Sequence, residues 1–320
     1  MNRDIKLAII LCFSALAVAS CGGGSSSTPP VTPPPASGGG GSGGGGSGNP
    51  VIIADVVYGK GATDNGDIDL MLDIHQPSDI CDANRPTIFY VHGGGFFGGS
   101  RSGGNHLARA DAAHAKDINY VSISYRLVRD NPVLAPEFQA IFDGFVAGNT
   151  DPNTDLNQIE AAIAAYADAL VALNWMQDNQ NEYCMDTTRL AYWGGSAGAI
   201  TVLNVAYSSD DFGFSRPDPD VVINNWGSLG DPTHLAFMEA PFMTVHGDQD
   251  QTVDYQSAVD IAAQADAVGV PYTFYTDVGG GHNVGVDRTV NGVTIMDLTL
   301  NFIEAHIVGG TPLYETANVD

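Results

Sequence analysis

The residues best suited to do chemistry lie in Leu190-Ala191-Tyr192-Trp193-Gly194-Gly195-Ser196-Ala197-Gly198-Ala199. Gly194 to Gly198 read G-x-S-x-G, the pattern of a strained strand-to-helix turn that lifts a serine hydroxyl out of a sheet. The chemistry would be nucleophilic. A serine hydroxyl attacks poorly until a base takes its proton, so this reading requires a histidine and an acid from elsewhere in the chain. A second concentration is His92-Gly93-Gly94-Gly95-Phe96-Phe97-Gly98-Gly99-Ser100. Three glycines in a row let backbone N–H groups face a cavity with no side chain in the way. Such a loop could cradle phosphate, but there is no G-x-x-x-x-G-K-[ST] pattern and no lysine nearby. No histidine or acidic cluster has metal-ligand spacing, and no cofactor is called for.

Both stretches need elements to hold them, and the flanking sequence supplies these. Arg189 to Trp193 is a short apolar run fit for a buried parallel strand, and AITVLNVAY (199–207) continues as the helix behind the serine. That helix aims amide N–H groups and positive dipole at whatever oxygen reacts there. Pro86 to Val91 reads as a buried strand running straight into His92. Val51–Tyr58 and Ile68–His75 form a strand pair around an Asn65-Gly66 turn. A helix is expected over 105–116, then a strand over 120–127. Residues 128–157 read as an irregular insertion whose Phe138, Phe142 and Phe145 either pack on the body or wall a pocket. Asp151 to Asn157 resembles a calcium loop, but Leu156 and Ala162 stand where that loop needs glycine and glutamate; Asp155 or Asn157 instead caps a helix over 158–177. Strands follow at 221–226, 241–246 and 272–277, with helices at 256–268 and 294–307. Alternation of this kind predicts a mostly parallel sheet with both faces covered.

From Asn49 onward the chain resembles the α/β-hydrolase superfamily, in its carboxylesterase and lipase branch with an HGGG loop. The residues that carry the resemblance are His92-Gly93-Gly94-Gly95, Gly194-Gly195-Ser196-Ala197-Gly198, His246-Gly247-x-x-Asp250 and Gly281-His282. The resemblance implies an α/β-hydrolase fold with about eight strands, helices on both faces and no large lid, since only about fifteen residues separate the strands at 221–226 and 241–246. It implies a triad of Ser196, Asp250 and His282, in the order Ser…Asp…His. It also implies an oxyanion hole from the N–H groups of Ala197, Gly94 and Gly95. Asp248 and Asp254 are the rival acids; Asp248 is a loop position in H-G-x-x-D. His92 supports its own loop and His246 precedes the acid loop. His75, His106, His114, His234 and His306 have no motif around them. Gly195 departs from the aspartate that many relatives place before the serine, which blurs the subfamily and the acyl preference. Phe96, Phe97 and Trp226 are the expected substrate contacts. A comparatively open site follows, suited to short acyl esters or to chain ends of a polymer such as an acetylated or feruloylated polysaccharide or a polyester. A peptidase of this fold usually brings a gating domain. A surface-tethered binding protein without catalysis is the reading from another class, and a full triad argues against it.

The 320 residues include 12 Lys plus Arg against 37 Asp plus Glu, a net charge of −25. Such a surface disfavours nucleic acid, which needs basic contacts. Residues 1–21 read as a targeting leader, with Arg3 and Lys6 before an apolar stretch too short to span a bilayer. Val18-Ala19-Ser20-Cys21 resembles a bacterial lipobox, which implies lipid on Cys21 and a protein exported and anchored to a membrane, the outer one in a Gram-negative cell. Residues 22–48 are Gly, Ser, Thr and Pro almost throughout, a flexible tether, and 49–320 form the catalytic domain. Cys81 and Cys184 each precede a strand. In the hydrolase fold those strands are neighbours, which predicts a Cys81–Cys184 disulfide away from the catalysis.

Overall fold

The computed structural model describes residues 48–320. The expected leader, the expected lipidation at Cys21 and the tether up to residue 47 lie outside the described residues. Eleven strands and six helices follow in chain order: β1 (Val51–Gly61), β2 (Ile68–Gln76), β3 (Arg85–Val91), α1 (His106–His114), β4 (Asn119–Ile123), α2 (Pro136–Gly148), α3 (Leu156–Asp178), β5 (Met185–Gly195), α4 (Ala197–Phe212), β6 (Val221–Asn225), β7 (Phe242–Gly247), α5 (Tyr255–Val268), β8 (Tyr272–Asp277), β9 (Thr289–Val290), β10 (Val293–Thr294), α6 (Ile295–Ile307) and β11 (Thr316–Asn318). Nine strands make one sheet in the order β1-β2-β4-β3-β5-β6-β7-β8-β11. The β1–β2 and β2–β4 pairs are antiparallel and every other pair is parallel.

Side chains alternate between two apolar layers, as a strand period of two requires when both faces are covered. Phe89, Val91, Leu190, Tyr192, Val222 and Phe242 join the layer under α3, α4 and α5. Ile88, Tyr90, Ala191, Trp193, Ile223 and Met243 join the layer under α1 and α6. The parallel strands therefore all end on one edge of the molecule, where loops can converge. Their starts define the opposite end, which holds the disulfide between Cys81 and Cys184, with Cα atoms 5.7 Å apart. The chain enters the fold at that same end. The Asn49 N–H donates to Asp79 Oδ1 (3.0 Å), and the Asp79 N–H donates to the Asn49 carbonyl (2.8 Å).

The sheet expected to hold about eight strands has nine, the last being the three-residue β11 beside β8. Two expectations need correction. The strand expected over 120–127 stops at Ile123. Its neighbour β3 turns away into the glycine loop, and the next side chains find other partners. The Tyr125 hydroxyl donates to the His92 carbonyl (2.8 Å), while Arg126 forms a buried ion pair with Asp168 of α3 (2.7 Å). Finally, 128–157 is not irregular throughout, since it contains α2, opened by Pro136. Ile141 and Phe145 bury against Ile159 and Ile163 of α3, which is packing on the body. Asp155 caps α3, accepting from the N–H groups of Asn157 and Gln158.

Candidate active site

Strand β5 ends in Gly195, and Ser196 then takes φ 54°, ψ −123° before α4 begins. A non-glycine residue held at positive φ is strained, and such strain persists only where the surroundings impose it. Here the Ser196 N–H donates to the Asn225 carbonyl (2.9 Å), and its own carbonyl accepts from the Ile200 N–H (2.9 Å). The turn is so tight that a Cβ on Gly198 would lie 2.6 Å from the Val91 carbonyl carbon and 2.7 Å from the His92 oxygen. Glycine is therefore required there.

The glycine loop after β3 lies directly against this turn. A Cβ on Gly93 would come within 2.6 Å of the Gly195 carbonyl oxygen. Gly94 (φ 127°) and Gly95 (φ 62°) are in conformations that L side chains rarely adopt. The Gly94 carbonyl accepts from the N–H groups of Phe97 and Gly98 (both 3.1 Å), and Gln158 Nε2 donates to the Gly95 carbonyl (2.9 Å). Their carbonyls are thus tied back, while their own N–H groups find no acceptor among the described residues. Ala197 opens α4, so its N–H is one of the first-turn donors that helix geometry leaves free. His92 stacks on Tyr125 at 4.4 Å between ring centroids. Burial, only partly offset by the Gly93 carbonyl, pushes its pKa down to about 4, so it stands neutral at neutral pH.

The loops after β7 and β8 complete the group. His282 Nε2 lies 2.8 Å from Ser196 Oγ, and its Nδ1 lies 2.7 Å from Asp250 Oδ2. Asp250 Oδ1 accepts from the N–H groups of Thr252 (2.8 Å) and Val253 (3.1 Å). Burial raises the pKa of this carboxyl. Hydrogen bonds from His246, His282 and the two amides outweigh that and hold it well below the usual carboxylate range. The rival acids have other work. Asp248 Oδ1 accepts from the Gly279 N–H (2.7 Å), tying the β7 and β8 loops together, and Asp254 caps α5.

The three expected substrate contacts separate. Phe96, at φ 66°, turns inward and is fully buried against Tyr125, so it offers no surface to a ligand. Phe97 is 48% exposed on the glycine loop. Trp226 is buried with its ring edge-on to His282, 6.3 Å between centroids. The residues that sequence reasoning missed are Gln158, Tyr125 and His246, which hold the loop or the acid. Only His246 carried a sequence signal, as the first residue of H-G-x-x-D.

A parallel sheet with a serine at the strained turn after one strand, an acid after a later strand and a histidine after the next defines an α/β-hydrolase. The chain has that fold, and its sequence is similar to the carboxylesterase and lipase branch of the superfamily. The prolyl oligopeptidase family model matches residues 224–309, which include Asp250 and His282. Carboxylesterase NlhH of Mycobacterium tuberculosis is 28% identical over 58% of this chain and 46% of its own length. Carboxylesterase 1C of mouse is 30% identical over 48% of this chain and 24% of its own length. The chain thus spans less than half the length of these curated relatives. Among solved structures, Thermogutta terrifontis esterase 2 phosphorylated by paraoxon superposes with TM-score 0.54 at 19% identity, covering 72% of this chain and 84% of that one.

Proposed function

We propose that the protein is a serine hydrolase that cleaves carboxylic esters, with a preference for short acyl groups, through an acyl-enzyme. The observation that carries this is the unbroken run from Ser196 Oγ through His282 to Asp250, set against a loop of unpaired glycine amides. His282 takes the serine proton as Oγ attacks the ester carbonyl. The buried carboxylate of Asp250 holds the imidazole in the tautomer that presents a free Nε2 to the serine, and stabilises the imidazolium formed. The carbonyl oxygen, now anionic, accepts from the N–H groups of Gly94, Gly95 and Ala197; one such donor is typically worth about 10²–10³ in rate. His282 then protonates the departing alcohol, and water repeats the sequence to release the acid. The carboxylesterase relatives support ester chemistry, and the buried Trp226 ring standing edge-on to His282 supports a small acyl group. Exposed Phe97 beside the glycine loop favours a second substrate, an acetylated or feruloylated polysaccharide whose sugar ring would stack on it.

The test is hydrolysis of p-nitrophenyl esters from acetate to palmitate, with acetylated xylan in parallel, by the protein and its Ser196→Ala variant. Activity should fall with chain length and drop by roughly 10⁴-fold or more in the variant. Equal activity in the variant would remove serine from the mechanism.

Export and anchoring belong to the same reading. Cys21 carries lipid and residues 22–48 tether the domain to a membrane. The lipobox-like sequence supports this, and so does a disulfide, which persists in oxidising compartments. Labelled palmitate should enter the wild-type protein in bacteria and fail to enter Cys21→Ala; equal labelling of both refutes the anchor.

A further inference from the structure

His246 is the last side chain of β7 before Gly247 and is completely buried. Its Nε2 lies 3.1 Å from Asp250 Oδ2 and 3.0 Å from the Val253 carbonyl. Both neighbours are acceptors, so Nε2 carries the hydrogen; it donates to the Val253 carbonyl, with Asp250 Oδ2 in close polar contact beside that bond. The other nitrogen, Nδ1, has no partner among the described residues. The Tyr255 ring meets the imidazole edge-on at 5.8 Å between centroids. The oxygen that His246 reaches is the one that also accepts from His282 Nδ1. Asp250 Oδ2 therefore faces two imidazoles, hydrogen-bonded to His282 from the loop after β8 and in polar contact with the Nε2–H of His246 on β7. Oδ1 is held by the Thr252 and Val253 amides. No Lys or Arg forms an ion pair with this carboxylate among the described residues.

The geometry points to His246 as a positioning residue for the proposed reaction, acting on His282 through Asp250. Its bond performs two tasks. It stops the carboxylate from turning about its Cβ–Cγ bond, so the Oδ2 lone pair stays aimed at His282. It also takes up part of the charge on Oδ2, limiting how strongly Asp250 favours protonated His282. A fully buried carboxylate must have its lone pairs met by donors, and here an imidazole N–H and two backbone amides stand beside His282 in meeting them. The inference rests on the hydrolase reading above.

The test compares the wild-type protein with His246→Phe, which keeps a ring and loses the donor, and His246→Gln, whose amide N–H reaches toward Asp250. For His246→Phe, kcat should fall roughly 10–100-fold with KM nearly unchanged, the size usual for an outer partner of a reacting group. Its acid limb of kcat/KM should also move to higher pH, because Oδ2 then holds protonated His282 more firmly. His246→Gln should recover most of kcat and the wild-type limb. An acid limb that stays put in His246→Phe overturns the inference, as does equal damage in both variants, since packing alone predicts those results. Should His246→Phe fail to fold, proton NMR of the wild-type protein with ¹⁵N-histidine decides instead. An Nε2–H resonance of His246 should be present and should shift when Ser196 is phosphonylated; its absence or indifference overturns the inference. Fluorophosphonate labelling separates the two failures. A labelled Ser196 with an unmoved limb removes only the role of His246, whereas an unlabelled protein removes the hydrolase reading and this inference with it.

Discussion

Gly195 and Gly198 flank the same serine, yet a methyl group should be tolerated at one and ruinous at the other. A Cβ on Gly195 would meet Trp226 Cζ2 at 3.6 Å and Cε2 at 3.9 Å, ordinary van der Waals distances. The Gly195 φ is not positive, so alanine fits without backbone strain and also restricts the unfolded chain. Gly195→Ala should stay within about 0.5 kcal/mol of wild type. A Cβ on Gly198 instead meets the Val91 carbonyl carbon at 2.6 Å and the His92 oxygen at 2.7 Å. Those atoms are backbone, at the point where β3 passes into the glycine loop, and cannot rotate aside. Relief requires α4 and β3 to part, which costs about 3 kcal/mol or more, at or beyond the upper end for overpacking. At roughly 2 °C per kcal/mol for a domain of this size, that is a fall in Tm of about 6 °C. The same parting carries Gly94 and Gly95 away from Ser196. A shift of about 1 Å in a reacting group can cost on the order of 10²-fold in rate. Calorimetry gives Tm, and p-nitrophenyl acetate turnover normalised to fluorophosphonate-titrated serine gives kcat. A Gly198→Ala protein that melts within a degree of wild type and keeps its kcat would refute the steric reasoning, and a Gly195→Ala protein that loses several degrees would refute it equally.

Two further expectations concern stability. The Cys81–Cys184 bond closes a loop with a sequence separation of 103, and reducing it should cost about 2–5 kcal/mol; denaturant unfolding with and without reductant, with the Cys81→Ser/Cys184→Ser double variant as control, checks this, and superimposable curves would contradict it. Glu239 is half-buried, and burial together with the charges of Asp210, Asp218 and Asp211, against the pull of Arg216, pushes its pKa up to about 7. Between about pH 4.5 and 7 the unfolded chain loses a proton that the folded one keeps, so stability falls as pH rises through that window. The loss is about 1 kcal/mol once solvent screening of a half-exposed group is allowed for. Glu239→Gln should flatten that part of the stability–pH curve, and an unchanged slope in the variant counts against the assignment.

The sequence was most legible where backbone constraint and side-chain chemistry coincide. The glycines around Ser196 and before Phe96 announce close backbone approaches, and the strands they follow end in apolar runs, Ile88–Val91 and Leu190–Trp193, because helices cover both faces. What stayed hidden depended on contacts distant in the chain. β4 ends early because Arg126 finds Asp168, and no local property of YVSISYRL encodes that partner. α2 starts at a proline just after Val133-Leu134-Ala135, and which of its apolar residues are buried shows only once α3 lies beneath it. β11 is too short to display a period. Phe96 looked like a pocket wall because aromatic residues beside an active loop often are, but φ 66° turns it into the core. His246 stood in plain view within H-G-x-x-D, yet only the three-dimensional placement of Asp250 Oδ2 shows what its ring is for.

The paired hydrogen bonds between Asn49 and Asp79 have a practical consequence. They pin Asn49 to the end of the sheet where the parallel strands begin, while Ser196, His282 and the glycine loop occupy the end where those strands finish. Anything joined directly ahead of Asn49, whether a resin, an electrode or a fused carrier protein, therefore grips the molecule by its base. The mouth of the site is left facing the solution, open to substrates too large to diffuse underneath.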